Sequence, residues 1–244
     1  MGSYFLPAHV FACAVQEQAF FLDLKRNRYL STALGELQGI SRYVHHWPAH
    51  LDVATTSGRR ERSESELQAT IAELNSCQVL LSGPGRACES AVAPGAHYQP
   101  ARATLVQHLS GYPRISPAAL LSFFKAAAVA KYRLSARSLY STVHYIVRRR
   151  ARHATALQSD DLSALSHLVT VFRRLRPLLP PTRAPCLLRS IALLEFLSVY
   201  GHFPRLVFGV QARPFSAHCW VQHADTLLNA TLEDAVAFTP IMIA

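Results

Sequence analysis

The sequence lacks the marks of a metal centre, a nucleotide site or a membrane span. Its five cysteines stand at 13, 77, 88, 186 and 219. The number is odd, no CxxC occurs and the spacings fit no zinc pattern, so no metal is expected. Reduced thiols in a reducing compartment follow. There is no GxGxxG, P-loop or HExxH, so no cofactor is expected in this chain and any ATP use falls to a partner. No stretch approaches the roughly 20 uncharged apolar residues that cross a bilayer; the longest candidate, 120–130, is broken by Lys125. The N-terminus has no basic segment followed by an apolar run, so no signal peptide is expected and the protein reads as cytoplasmic. Acidic residues are scarce, 15 against 25 Lys and Arg, leaving a net charge of +10. That excess admits a nucleic acid, an anionic membrane surface or an acidic peptide as partner, or no more than a solubilising surface. No basic run is longer than Arg148-Arg149-Arg150.

What is present is core-forming material. Half of the 244 residues are hydrophobic and 16% are charged, which is not the composition of a disordered chain. At about 100–200 residues per domain, the length allows one large or two small domains. Residues 9–15, 19–24 and 28–31 are short runs of β formers separated by polar breaks, which predicts a three-stranded antiparallel meander. A helical region is expected over 33–43. Ser63 and Glu66 form a capping-box pair, and Leu67, Ile71 and Leu74 then share one helical face. Gly83-Pro84-Gly85 closes this unit. Residues 84–115 read as a linker. Ser116-Pro117 starts a helical stretch, in two pieces, to about 147. Another helix is expected from Ser159 or Asp160, stopped by Pro177, Pro180 and Pro181. A further helix over 186–200 precedes strands at 205–210, 218–222 and 226–229. Helices followed by a sheet make an α+β order, not repeated βαβ units. The expected domains are 1–83 and 116–244.

Cys186 follows Pro185 and opens a helix, where first-turn amides and the helix dipole favour a thiolate. His218 lies 32 residues downstream near a strand start. A helix-start cysteine facing a strand-borne histidine is the papain-like arrangement. The imidazole takes the thiol proton and returns it to the leaving amine. The bland alternative is a buried cysteine acting as a small hydrophobe and one histidine among twelve. Cys219, mid-strand beside Trp220, is read as packing.

Four pieces stand in order along the C-terminal part: Cys186-Leu187-Leu188-Arg189-Ser190 with Ala192-Leu193, Leu206-Val207-Phe208-Gly209-Val210, Pro214-Phe215 leading to Ala217-His218-Cys219-Trp220-Val221, and Phe238-Thr239-Pro240-Ile241. Through them, residues 186–244 resemble the peptidase domain of the lasso-peptide maturation B proteins, related to the transglutaminase-like cysteine peptidases. Residues 8–82 resemble the family's leader-recognition domain, best in the run from Phe20 to Leu30. The resemblance implies an N-terminal winged-helix-like peptide-recognition domain, a three-stranded antiparallel sheet plus helices, that captures the leader of a ribosomal precursor. It implies a C-terminal papain/transglutaminase-like domain, a helical lobe plus antiparallel sheet, that cuts the leader from the core. A separate ATP-dependent lasso cyclase, resembling asparagine synthetase, then closes the ring.

One departure stands out. The family pattern places an aspartate 12 residues after the histidine, and here that slot is Ala230. The aspartate orients the imidazole and stabilises its charged form; in a serine peptidase its loss costs about 10⁴ in rate. Either Ala230 is an inactivating change, which leaves a scaffold that delivers the precursor to the cyclase, or Asn229 supplies the orienting amide. The leader is expected between the third strand (Arg26, Asn27, Arg28, Tyr29, Leu30) and the capped helix (Leu67, Ile71, Leu74), added as a further strand; those three helix residues forming only the domain core is the competing reading. DNA is disfavoured as partner, because the capped helix carries Glu64, Glu66 and Glu73 and no arginine. Acyl transfer to an amine is a third use of the same dyad.

Overall fold

The computed structural model describes residues 4–51, 62–83, 98–106, 114–153 and 162–244. Most of the expected linker and the helix start at Ser159 or Asp160 lie outside these residues. The chain forms two compact units, Met1–Ala93 with Ala212–Phe215, and Pro94–Gln211 with Ser216–Ala244.

The first unit contains β1 (Tyr4–Phe5), β2 (Val10–Val15), β3 (Gln18–Asp23), β4 (Arg28–Ala33), β5 (Val44–His45), α1 (Glu64–Ser76) and β6 (Leu81–Ser82). β2, β3 and β4 form the expected antiparallel meander. β1 pairs in parallel with β5 and antiparallel with β6. The expected helix over 33–43 is instead two 3-10 turns, Leu34–Leu37 and Ile40–Arg42. Gly39 between them takes φ +83°, a left-handed conformation that breaks a helical ladder. The capping box is formed: Ser63 Oγ accepts the Glu66 N–H at 3.3 Å, and the Glu66 carboxylate accepts the Ser63 N–H at 2.8 Å. Asp23 organises the β3–β4 turn. Its Oδ1 accepts the N–H groups of Lys25 and Arg26, both at 3.1 Å, and its Oδ2 lies 3.0 Å from Arg26 Nη1. Burial alone pushes this carboxyl up; the hydrogen bonds and charge of Arg26 outweigh it and hold it below the usual range.

The second unit contains β7 (Ala103–Thr104), α2 (Pro117–Ala136), α3 (Leu139–Arg152), α4 (Leu162–Leu175), α5 (Pro185–Val199), β8 (Arg205–Gln211), β9 (Ser216–His223), β10 (Thr226–Leu227), α6 (Leu232–Val236) and β11 (Thr239–Ile243). The helical stretch breaks in two at Ser138, whose hydroxyl caps α3 through the Ser141 N–H. The sheet order is β11-β8-β9-β10-β7. Its pairings are antiparallel except β10 with β7. β7 lies within the stretch expected as a linker. Pro240 sits in β11 at the sheet edge, where a missing N–H is tolerated.

α5 is the central helix, apolar nearly all round, and packs against α2, α4 and β9. Phe123 of α2, Phe172 of α4 and Phe196 of α5 pack in series as tilted ring pairs, with centroids 5.5 and 5.6 Å apart. Glu195, buried in α5, is held by Arg149 Nη1 at 2.6 Å and Arg133 Nε at 3.5 Å. Both guanidiniums also meet the Tyr145 ring. Together these contacts fix the helix whose first turn carries Cys186.

Candidate active site

Pro185 occupies the first helical position of α5 and Cys186 the second. Proline suits that position because its missing N–H would be unpaired there anyway. The Cys186 sulfur therefore lies at the positive end of the helix. His218 is the third residue of β9, paired across the ladder with Gly209 of β8. Cys186, His218, Cys219 and Asn229 line one cleft, partly open to solvent, with Phe172 and Leu193 among its apolar walls.

The Cys186 thiol is held down, to about 4. The first cause is a hydrogen bond from the Cys219 side chain. Burial opposes it, and the hydrogen bond and charge of His218 and the Cys219 N–H lower the pKa further. The Cys219 thiol is raised well above an ordinary thiol by its hydrogen bond with Cys186, then by burial and the Cys186 charge, against a smaller opposing pull from Ser190, whose Oγ lies 3.9 Å from the Cys219 sulfur. Cys219, expected only to pack, is part of the site. Neighbours on a strand face opposite sides, so its spacing from His218 gave no sign of this.

Gly209 makes room for the imidazole's surroundings. A Cβ there would meet the Trp220 ring at 2.8 Å and Phe238 at 2.9 Å. Those two rings flank His218, with centroids 6.2 and 5.4 Å away. They also belong to the apolar cluster in which Ala230 is buried. The Ala230 carbonyl accepts the Thr104 hydroxyl at 2.8 Å. Its methyl thus occupies an apolar pocket beside the histidine's own neighbours, where a carboxylate is expected from the family pattern.

Asn229 does not replace that carboxylate. Its Oδ1 accepts the Val221 N–H at 2.8 Å and its Nδ2 donates to Ser190 Oγ at 2.9 Å. The amide ties β9 to α5, and neither bond goes to His218. Ser190 is a second residue that sequence reasoning missed: it also donates to the Cys219 carbonyl at 3.3 Å.

The expected leader contacts separate into two groups. Leu67, Ile71 and Leu74 are 4, 1 and 8% exposed and belong to the core of the first unit with Val10, Ala12 and Phe21. Their side chains face that core instead of a ligand, which corrects their expected role. Arg26, Asn27, Arg28, Tyr29 and Leu30 lie on the β3–β4 turn and on β4, an edge strand among the described residues. Arg26 and Arg28 are engaged with Asp23, and Arg28 also donates to the Cys77 carbonyl at the end of α1. Asn27 takes φ +51°, which asparagine tolerates and the turn uses. Tyr29 and Phe20 meet the ring of Phe215, at 5.8 and 5.6 Å. Leu30 packs on the core.

Among the described residues, no helix is long and apolar enough to cross a membrane. No curated protein and no solved structure matches the chain. Residues 128–243, from within α2 to within β11, match the family model of the transglutaminase-like superfamily, so the helical lobe and sheet that carry Cys186 and His218 form a transglutaminase-like domain.

Proposed function

We propose that this chain is the leader peptidase of a lasso-peptide pathway, acting in the cytoplasm on a ribosomal precursor before a separate ATP-dependent cyclase closes the ring. The observation that carries the catalytic part is that Cys186, at the start of a helix, and His218 line one partly open cleft, with the Cys186 thiol held down to about 4. The sulfur attacks the scissile carbonyl, and His218 gives a proton to the leaving amine. Water, deprotonated by the same imidazole, then hydrolyses the thioester and frees Cys186. The Cys186 N–H, in the first turn of α5 where amides lack an intrahelical acceptor, is suited to the oxyanion. The leader part of the reading is supported by the exposed edge at β4, to which an extended peptide can add.

A second reading is favoured by Ala230: a precursor-holding scaffold with little hydrolytic activity of its own. The test is to search the open reading frames beside this chain's gene for a short precursor and to incubate that peptide with the wild type, Cys186→Ala and Ala230→Asp, reading cleavage by mass spectrometry. The peptidase reading expects cleavage that Cys186→Ala abolishes and Ala230→Asp accelerates, up to about 10⁴-fold if the orienter acts as it does in serine peptidases. Precursor binding without cleavage in all three proteins establishes the scaffold instead.

A further inference from the structure

Three arginines line the cleft that holds Cys186 and His218: Arg173, Arg176 and Arg189. Arg173 is in the last turn of α4 and Arg176 in the 3-10 turn that follows. Arg189 is three residues beyond Cys186 on α5, hence one turn along on the same face. Arg173 is aimed by a 2.6 Å hydrogen bond from its Nη1 to the Val106 carbonyl, another lining residue of the cleft. The three are close enough to feel one another: burial first, then the charges of Arg189 and Arg173, lower the pKa of Arg176.

Among the described residues, no carboxylate forms an ion pair with any of the three. Clustered guanidiniums repel, and a fold that holds them at the edge of an open cleft leaves a planar, multi-donor site for an anion. Resting on the peptidase reading above, we infer that this cluster is a specificity subsite for a carboxylate of the peptide substrate, close to the scissile bond. The carboxylate comes from an Asp or Glu side chain or from a free C-terminus.

The site is tested on the full chain without relying on turnover. Cys186 is alkylated with iodoacetate and with iodoacetamide, and its labelling is followed by peptide mapping. The iodoacetate-to-iodoacetamide rate ratio is expected about tenfold above that of N-acetylcysteine thiolate. It should collapse in the Arg176→Gln/Arg189→Gln double variant and at high salt, with the iodoacetamide rate little changed. A ratio indifferent to both overturns the anion site. A second arm digests a proteome-derived peptide library and maps the cuts. Enrichment of Asp or Glu near the cut, lost in the double variant through a KM raised about tenfold at similar kcat, assigns the side-chain source. Enrichment that disappears only when C-termini are amidated assigns the terminal source. Cuts with no acidic preference overturn the inference and leave the peptidase standing. An anion-selective Cys186 with no cut in the library, and none in the precursor, overturns the peptidase and keeps the anion site.

Discussion

Two arginine clusters in the second unit are built on opposite plans. Arg133 and Arg149 converge on Glu195, a carboxylate 7% exposed, and stack on Tyr145. Arg173, Arg176 and Arg189 converge on a cleft and on one another. The first cluster has an internal counter-charge; one carboxylate sits between two guanidiniums and ties α2, α3 and α5 together. The second is incomplete as it stands. Arginine as a residue type therefore says little here, and the presence or absence of an internal counter-charge separates a strut from a binding surface.

The contrast is sharpened most by removing Glu195. Glu195→Gln leaves two largely buried guanidiniums without their partner and should cost about 3–5 kcal/mol, read by urea denaturation. An unchanged midpoint would end the distinction between the clusters. Gly209→Ala tests the frame around His218: the added methyl meets Trp220 and Phe238 and should destabilise by about 1–3 kcal/mol. Next comes the electrostatics of the nucleophile. Wild-type Cys186 should stay reactive to iodoacetamide as pH is lowered, losing reactivity only near pH 4 as the thiolate is protonated. Cys219→Ala removes the leading hydrogen bond and should move that loss to higher pH. Arg176→Gln should move it less, because no arginine is among the groups that hold Cys186 down. The smallest effect is on stability: Arg176→Gln/Arg189→Gln should leave it unchanged or raise it by up to about 0.5 kcal/mol, since it relieves repulsion and breaks no ion pair. A loss of several kcal/mol would place these arginines with the struts.

Local chemistry made some of this legible beforehand. The capping box at Ser63, the Ser116-Pro117 and Pro185-Cys186 helix starts and the polar breaks of the meander each act within a few residues, and each formed. Cys186 and His218, read together from residue types and element order, line one cleft. What remained hidden depends on distant segments meeting. The arginine cluster is assembled from α4, the 3-10 turn after it and α5, and no single window of sequence displays it. Cys219 lines the same cleft as Cys186 and His218 despite an alternation that assigns it to the other side of the strand. β11 was missed because Pro240 weakens its strand signal, which is tolerated only because the strand is an edge. Asn229 looked like a candidate orienter until its amide was seen to join β9 to α5. Leu67, Ile71 and Leu74 show the reverse error: a helical stripe marks a face that buries something, and here it buries its own domain.

The short strand at Ala103–Thr104 bears on how the two halves can be separated at the bench. The segment around it is laced to the catalytic sheet: Gln99 accepts from Gln222, Arg102 and Ala103 donate to Asp225, Leu105 to Leu227, and Thr104 to the residue in the missing-aspartate slot. A fragment begun at 116, or at the edge of the family match at 128, would strip the sheet of a border strand and free Arg173 from its anchor at Val106. Dissection upstream of Tyr98 keeps this sheet whole.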